Sequence, residues 1–261
     1  MITDKTHRAN NTIKPAGTGH IIDNKKIAHD IYQMTIEAPD VAYNSKPGQF
    51  VSLLCSKLVL RRPFSISNVK DNCFQIIYKL KGEGTDYMSG LKAGQSIDYL
   101  GPLGNGFDLS AKRALLVGAG VGIAPLIYLT EVFKYNDVPF TMLAGFQSFV
   151  DIKELAIPEC TLVTEDGSST AKGRVTDFIE EKILNTRPDR IYACGPHVVL
   201  QKTVKIANTQ KIDTEVALEE KFACGIGVCM GCIIEVYEND EIVNKRVCKD
   251  GPVFKGETVV W

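Results

Sequence analysis

Cys224, Cys229, Cys232 and Cys248 follow the pattern C-x4-C-x2-C with a fourth cysteine further along. At that spacing four thiolates can hold a [2Fe–2S] cluster, which carries electrons one at a time. The glycines of Cys224-Gly225-Ile226-Gly227-Val228-Cys229 let backbone N–H groups turn toward sulfur, and such bonds stabilise the reduced, more negative cluster. Zinc also takes four thiolates, but its ribbons favour two matched C-x2-C knuckles, and a single one is present here. Zinc, and a chance grouping of buried thiols, stay open as alternatives. The remaining cysteines, Cys55, Cys73, Cys160 and Cys194, stand singly in apolar runs and read as buried thiols.

Further segments carry residues suited to phosphate and ring binding. Gly118, Gly120 and Gly122 lie between an apolar run and Ala124-Pro125, where a strand would turn into a helix. Glycines there allow a tight turn and close approach of backbone to a phosphate. The string is not G-x-G-x-x-G, and alone it could be a turn with no ligand. In Arg61-Arg62-Pro63-Phe64-Ser65, Arg62 can pair with a pyrophosphate, Phe64 offers a ring face and Ser65 a hydroxyl; the bland reading is an edge strand with a solvated basic pair. In Gly82-Glu83-Gly84-Thr85, Gly84 could free N–H groups for phosphate and Thr85 could add a donor, or the segment is a hairpin turn. Cys194-Gly195-Pro196 ends a strand near the same face as Gly118–Gly122. No acid–base constellation stands out, and no catalytic residue is assigned. His7, His20, His29 and His197 are scattered and read as surface residues.

The elements that must position these groups fall into distinct stretches. From His20 to about Leu100, short alternating runs broken by turn residues predict a small antiparallel barrel of six strands. The strands expected are His20–Asp23, Ile31–Glu37, Phe50–Cys55, Phe64–Asn68, Phe74–Leu80 and Ser96–Tyr99. After Gly101-Pro102-Leu103-Gly104-Asn105-Gly106, strands and helices alternate, which predicts a parallel sheet covered on both faces. Ala114–Leu129 reads as a buried strand, a glycine turn and a helix opening near Pro125. Val175–Leu184 and His197–Asn208 are the other helices expected. The fold class is therefore multidomain: a flexible tail over 1–17, a barrel over 18–105, an α/β domain over 106–218 and a small cysteine module over 219–261.

Composition narrows the partners. The net charge is −1 with no dense basic run, which argues against nucleic acid. The start of the chain is polar, which argues against a secretory signal, and no apolar stretch suits a membrane span. Eight cysteines with no export signal suggest a reducing, cytoplasmic setting.

Arg62-Pro63-Phe64-Ser65, Gly84-Thr85, Gly118–Pro125 and Cys194-Gly195-Pro196, in this order, resemble the ferredoxin–NADP reductase superfamily over about residues 18–218. The ending Val247-Cys248-Lys249-Asp250-Gly251-Pro252-Val253-Phe254 narrows the resemblance to electron-transfer subunits of bacterial dihydroorotate dehydrogenase B. The resemblance implies FAD in the barrel, NAD on the α/β domain and [2Fe–2S] on the four cysteines. Arg62, Pro63, Phe64 and Ser65 would touch the flavin and its phosphates. Ile77, Tyr78 and Lys79 would line it, and Gly84 and Thr85 would hold the pyrophosphate. Gly118, Gly120, Gly122, Cys194 and Gly195 would face NAD. It also implies an FMN-containing catalytic partner that oxidises dihydroorotate in pyrimidine (UMP) biosynthesis, in a heterotetramer of two of each chain. Phe64 stands where the superfamily often has tyrosine. Trp261 is not expected to stack on the flavin as a terminal aromatic does in plant reductases, because the cysteine module separates it from the nucleotide domain. The segment Gly145–Asp151 lacks an arginine for a 2′-phosphate, which favours NAD over NADP. Related alternatives are the flavin/iron–sulfur subunit of a hydrogenase or of an NADPH–ferredoxin transhydrogenase. An alternative of a different class is a zinc-binding interaction module on a reductase scaffold. Ile226, Val228 and Met230 are expected to form an apolar patch for the partner.

Overall fold

The computed structural model describes residues 16–55, 59–149 and 160–261. The expected mobile segment up to Pro15, and Val150 and Asp151 of the segment read for cofactor choice, lie outside the described residues.

Strands β1 (Ala16–Ala28), β2 (Ile31–Glu37), β3 (Phe50–Leu53), β4 (Arg62–Lys70), β5 (Cys73–Lys79) and β6 (Ser96–Leu103) close into a barrel. Its order is β1-β2-β5-β4-β3-β6, with every pair antiparallel. The alternation of the sequence appears as burial. Met34, Ile36, Phe74 and Ile76 point inward and are fully buried, with Val51 and Leu53 from β3 completing the core. Two helices stand where the sequence shows no helical period. These are α1 (Pro39–Asn44), which starts on a proline, and α2 (Glu83–Gly90), which carries two glycines and buries little beyond Met88. Neither has an apolar stripe long enough to read.

The second sheet runs through β7 (Ala114–Ala119), β8 (Phe140–Phe146), β9 (Thr161–Thr164), β10 (Ala171–Lys172), β11 (Arg190–Cys194) and β12 (Asp213–Ala217). These are parallel, in the order β10-β9-β8-β7-β11-β12. Helices α3 (Ala124–Tyr135), α4 (Ile179–Thr186) and α5 (His197–Gln210) cover it. Strand β7 is apolar on both faces for this reason. Ala114 and Leu116 pack with Leu126 and Leu129 of α3, while Leu115 and Val117 pack with Ile179 of α4 and Leu200 of α5. The expected helix at Val175 opens as a 3₁₀ turn over Val175–Phe178, and α4 follows it.

The cysteine module contributes a hairpin, β13 (Ile233–Glu238) and β14 (Glu241–Arg246), then α6 (Val247–Asp250) and β15 (Val253–Lys255). Strand β15 pairs antiparallel with β12, so the module supplies the last strand of the nucleotide sheet. Asn105 seals this junction. Its backbone N–H donates to the Gly251 carbonyl at 2.7 Å, and its side chain bonds both backbone groups of Val253. No helix among the described residues is long and apolar enough to cross a membrane.

Candidate functional site

The glycine string sits at the carboxyl end of β7, in the 3₁₀ turn Gly120–Ile123. Sheet order reverses between β7 and β11, the switch point where open α/β sheets hold ligands. There the two loops touch: a Cβ on Gly122 would lie 2.7 Å from Gly195 Cα and 2.8 Å from its nitrogen. A cavity of about 630 Å³ opens over them, lined by Gly120, Gly122, Gly195 and Pro196. Gly118 and Cys194 lie behind that surface. Gly118 packs against Leu126 and Ile123. Cys194 is 2% exposed, and burial pushes its thiol far up.

A second cavity, of about 440 Å³, lies between the barrel and the turn after β7. Arg62, Pro63, Phe64, Ser65, Ile77, Tyr78, Lys79, Gly84 and Thr85 all line it. Its walls suit a planar ring. Phe64 stands edge-on to Tyr78 at 5.9 Å, and Phe222 stands edge-on to Phe50 at 5.3 Å. Arg61 stays in the barrel wall, paired with Asp98 at 2.5 Å, while Arg62 reaches the cavity. Gly84 opens α2 against Arg62 and Cys55; a Cβ there would meet both at 3.3 Å, so the backbone lies close beneath the guanidinium. An aromatic wall beside an arginine and a helix start fits a flavin with its phosphates.

Two of these residues also have partners within the protein. The Thr85 hydroxyl donates to the Gly82 carbonyl at 3.0 Å and accepts from Lys81 and Gly82 N–H groups, so it caps the start of α2. The Tyr78 ring is 2% exposed in the barrel core, with its hydroxyl donating to Asn24 Oδ1 at 3.0 Å.

Lys79, Lys81, Val121 and Glu219 line both cavities, which therefore share a wall. Lys81, Glu219 and Phe222 carried no motif in the sequence. The groove over β9 also holds Glu165, Arg174 and Lys202, so its cations come from elements outside the segment read for cofactor choice. His29 lies in this groove; His20 bonds Ser96, and His197 stands edge-on to Trp261. His7 lies outside the described residues. Trp261 is occupied there, its indole N–H donating to the Gly256 carbonyl at 3.0 Å.

The cysteine loop lies against the barrel, where a Cβ on Gly225 would sit 3.6 Å from Ser52 Oγ. Left-handed backbone at Gly225, Gly227 and Met230 curls it. The curl turns the N–H groups of Val228 and Cys229 to Cys224 Sγ, at 3.3 and 3.4 Å, and that of Gly231 to Cys229 Sγ at 3.4 Å. Burial pushes the Cys224 thiol up, but the N–H groups of Ile226, Cys229 and Val228 together outweigh it and bring it to about 6. Cys248 is the reverse case: burial, then Cys232, push it up to about 12.

Cys224 interacts with Cys229, and Cys232 with Cys248. The N–H groups aimed at the sulfurs of Cys224 and Cys229 are the donors a thiolate-held iron–sulfur cluster would use, so this donor set fits the cluster.

A family model described as the iron–sulfur cluster binding domain of dihydroorotate dehydrogenase B matches residues 219–260. The electron transfer subunit of dihydroorotate dehydrogenase B (NAD(+)) from Caldanaerobacter subterraneus subsp. tengcongensis is 39% identical over 243 residues, which cover 92% of this chain and 97% of that one. The chain belongs to the family of dihydroorotate dehydrogenase B electron transfer subunits. The same-named subunit from a Geobacillus species is 38% identical, with 92% of this chain and 96% of that one covered. Among solved structures, one of an NADH-dependent reduced ferredoxin–NADP oxidoreductase, reported for flavin-based electron bifurcation, is 29% identical. Its TM-score is 0.81, over 97% of this chain and 92% of that one. A Plasmodium falciparum ferredoxin–NADP+ reductase shares the fold alone, with 17% identity, a TM-score of 0.63 and coverage of 79% and 100%. The barrel and parallel sheet thus share the reductase fold, and the family model falls on the C-terminal cysteine module.

Proposed function

We propose that this chain is the electron-transfer subunit of an NAD-dependent dihydroorotate dehydrogenase, accepting electrons from a dihydroorotate-oxidising subunit and delivering them to NAD+. A [2Fe–2S] cluster supplies single-electron transfer, and FAD joins single electrons into a hydride pair. The chain's own residues bind and orient. Arg62, Pro63, Phe64, Ser65, Ile77, Tyr78, Lys79, Gly84 and Thr85 hold the flavin. Gly118, Gly120, Gly122, Cys194 and Gly195 shape the nucleotide site, with Gly118 and Cys194 supporting it from behind. Cys224, Cys229, Cys232 and Cys248 ligate the irons. No side chain is needed as acid or base, because the proton-abstracting group belongs to the partner's site.

The observation that carries this reading is the continuity of the three sites. The two cavities share a wall, and Phe222, which lines the flavin cavity, is two residues from Cys224. We place the units at 18–105, 106–218 and 219–261, with Ala16 and Gly17 of β1 joining the first.

The partner is an FMN-containing catalytic subunit, in a soluble, cytoplasmic heterotetramer of two of each chain. Ile226, Val228 and Met230 stand 47%, 76% and 47% exposed around the cysteine loop and form the contact patch. Anaerobic purification with flavin, iron and sulfide analysis tests the cofactors. Dihydroorotate-dependent NAD+ reduction, with and without the catalytic chain, tests the role. A colourless protein holding zinc, or no NAD+ reduction by the reconstituted pair, would refute the reading.

A further inference from the structure

Arg246 ends β14, directly before the turn that carries Cys248. Asp250 grips one edge of its guanidinium: Nε donates to Oδ2 at 3.0 Å and Nη2 to Oδ1 at 3.2 Å. The Arg246 backbone N–H donates to the same carboxylate at 2.8 Å. The remaining edge points elsewhere. Nη1 donates to the carbonyl of Gly227 at 2.9 Å, inside the loop between Cys224 and Cys229. One side chain thus joins the two segments that bear the cysteines. Its charge acts on Cys248 and Cys232, and its side chain is 27% exposed. The neighbouring cation, Lys249, lays its stem across Gly227, where a Cβ would come within 2.4 Å of its Cδ, but its residue is exposed.

Reducing a [2Fe–2S] cluster adds a negative charge, so a cation fixed nearby favours the reduced form and raises the potential. The exposed Lys249 gives a mobile, screened charge; a cation at position 246 held by the Asp250 carboxylate gives a placed one. We propose that Arg246, aimed by Asp250, sets the reduction potential of the cluster. This rests on the cluster reading above. Arg246 is a positioning residue and not a ligand.

The test uses the full chain with flavin and cluster, prepared anaerobically, with iron and sulfide counted. The cluster is titrated against potential by its paramagnetic signal. Arg246→Gln keeps its iron and shifts the one-electron equilibrium about tenfold against reduction, about 59 mV. Arg246→Lys keeps the charge and stays within about threefold of the wild type. The difference between wild type and Arg246→Gln shrinks in 1 M salt, where the Debye length is about 3 Å. An Arg246→Gln variant with full iron and the wild-type potential overturns the proposal. So does a tenfold shift in Arg246→Lys, which also decides the matter if the glutamine variant cannot hold iron. A wild-type chain with no binuclear signal removes the cluster reading itself, whereas full iron with an unmoved potential removes only the role of Arg246.

Discussion

Gly122→Ala is the sharpest perturbation of the nucleotide site. The added methyl carbon would lie 2.7 Å from Gly195 Cα, 2.8 Å from Gly195 N and 2.9 Å from Cys194 C. All three are backbone atoms at the end of a central strand, so no side chain can swing aside. Ordinary contact begins near 3.4 Å, so the loops must part by about 0.7 Å. Overpacking of this kind costs about 1–3 kcal/mol. If that cost falls on the crevice, NAD+ affinity drops roughly 5- to 150-fold. Gly122 does not line the flavin cavity, so FAD content stays at the wild-type level. The assay is NAD+ titration of the oxidised holoprotein, with flavin and iron counted beside it. Gly90→Ala is the control. Open space surrounds Gly90, at the end of α2, and it lines neither cavity. A Gly122→Ala protein with wild-type NAD+ affinity and unchanged melting temperature would refute the claim that the two loops form one tight crevice.

Further outcomes are expected elsewhere. Val228→Glu, at a position 76% exposed beside the cysteines, weakens association with the catalytic subunit at least 100-fold, because an unpaired buried charge costs about 3–5 kcal/mol; ultracentrifugation of the mixed subunits checks it. Phe222→Ala removes the edge contact with Phe50, worth about 0.5–1.5 kcal/mol of stability, and strips a ring from the wall of the flavin cavity. FAD affinity falls while iron content holds, and fluorescence on flavin release measures it. Asp108 accepts from Arg190, which holds its carboxyl below the usual range. Its stabilising effect is therefore complete above its unfolded value of about 3.9 and is lost as pH falls through the lower folded value. The melting-temperature gap between wild type and Asp108→Asn should narrow from pH 7 to pH 3, and a constant gap would show that Asp108 stabilises by other means.

Much of this architecture was legible because it is written locally. The alternation of Met34 and Ile36 with polar neighbours marks a half-buried strand, and the apolar run Ala114–Val117 marks one covered on both faces. The cysteine spacing and the Arg62–Ser65 string are short enough to read directly. What stayed hidden arises from contacts between distant segments. Phe222 and Glu219 face cavities only because β12 ends beside the barrel, and Lys81 only because β5 runs out toward the α/β domain. Helix α2 forms around the Thr85 cap, with no apolar stripe to announce it. The hydroxyl of Thr85 is engaged at the start of its own helix, a contact no spacing announces. Strand β15 has three residues, too few for any period, and exists because the exposed edge of β12 is there to receive it.

That short strand limits how the redox groups can move. A centre on a tether could swing between donor and acceptor, as shuttling carriers do. Here the iron-bearing lobe is hemmed into the nucleotide sheet at Glu215, Val216 and Ala217 and pinned by Asn105 at the seam. The gap an electron must jump inside this chain is therefore built into its frame, and any search for a docking partner falls to the other subunit.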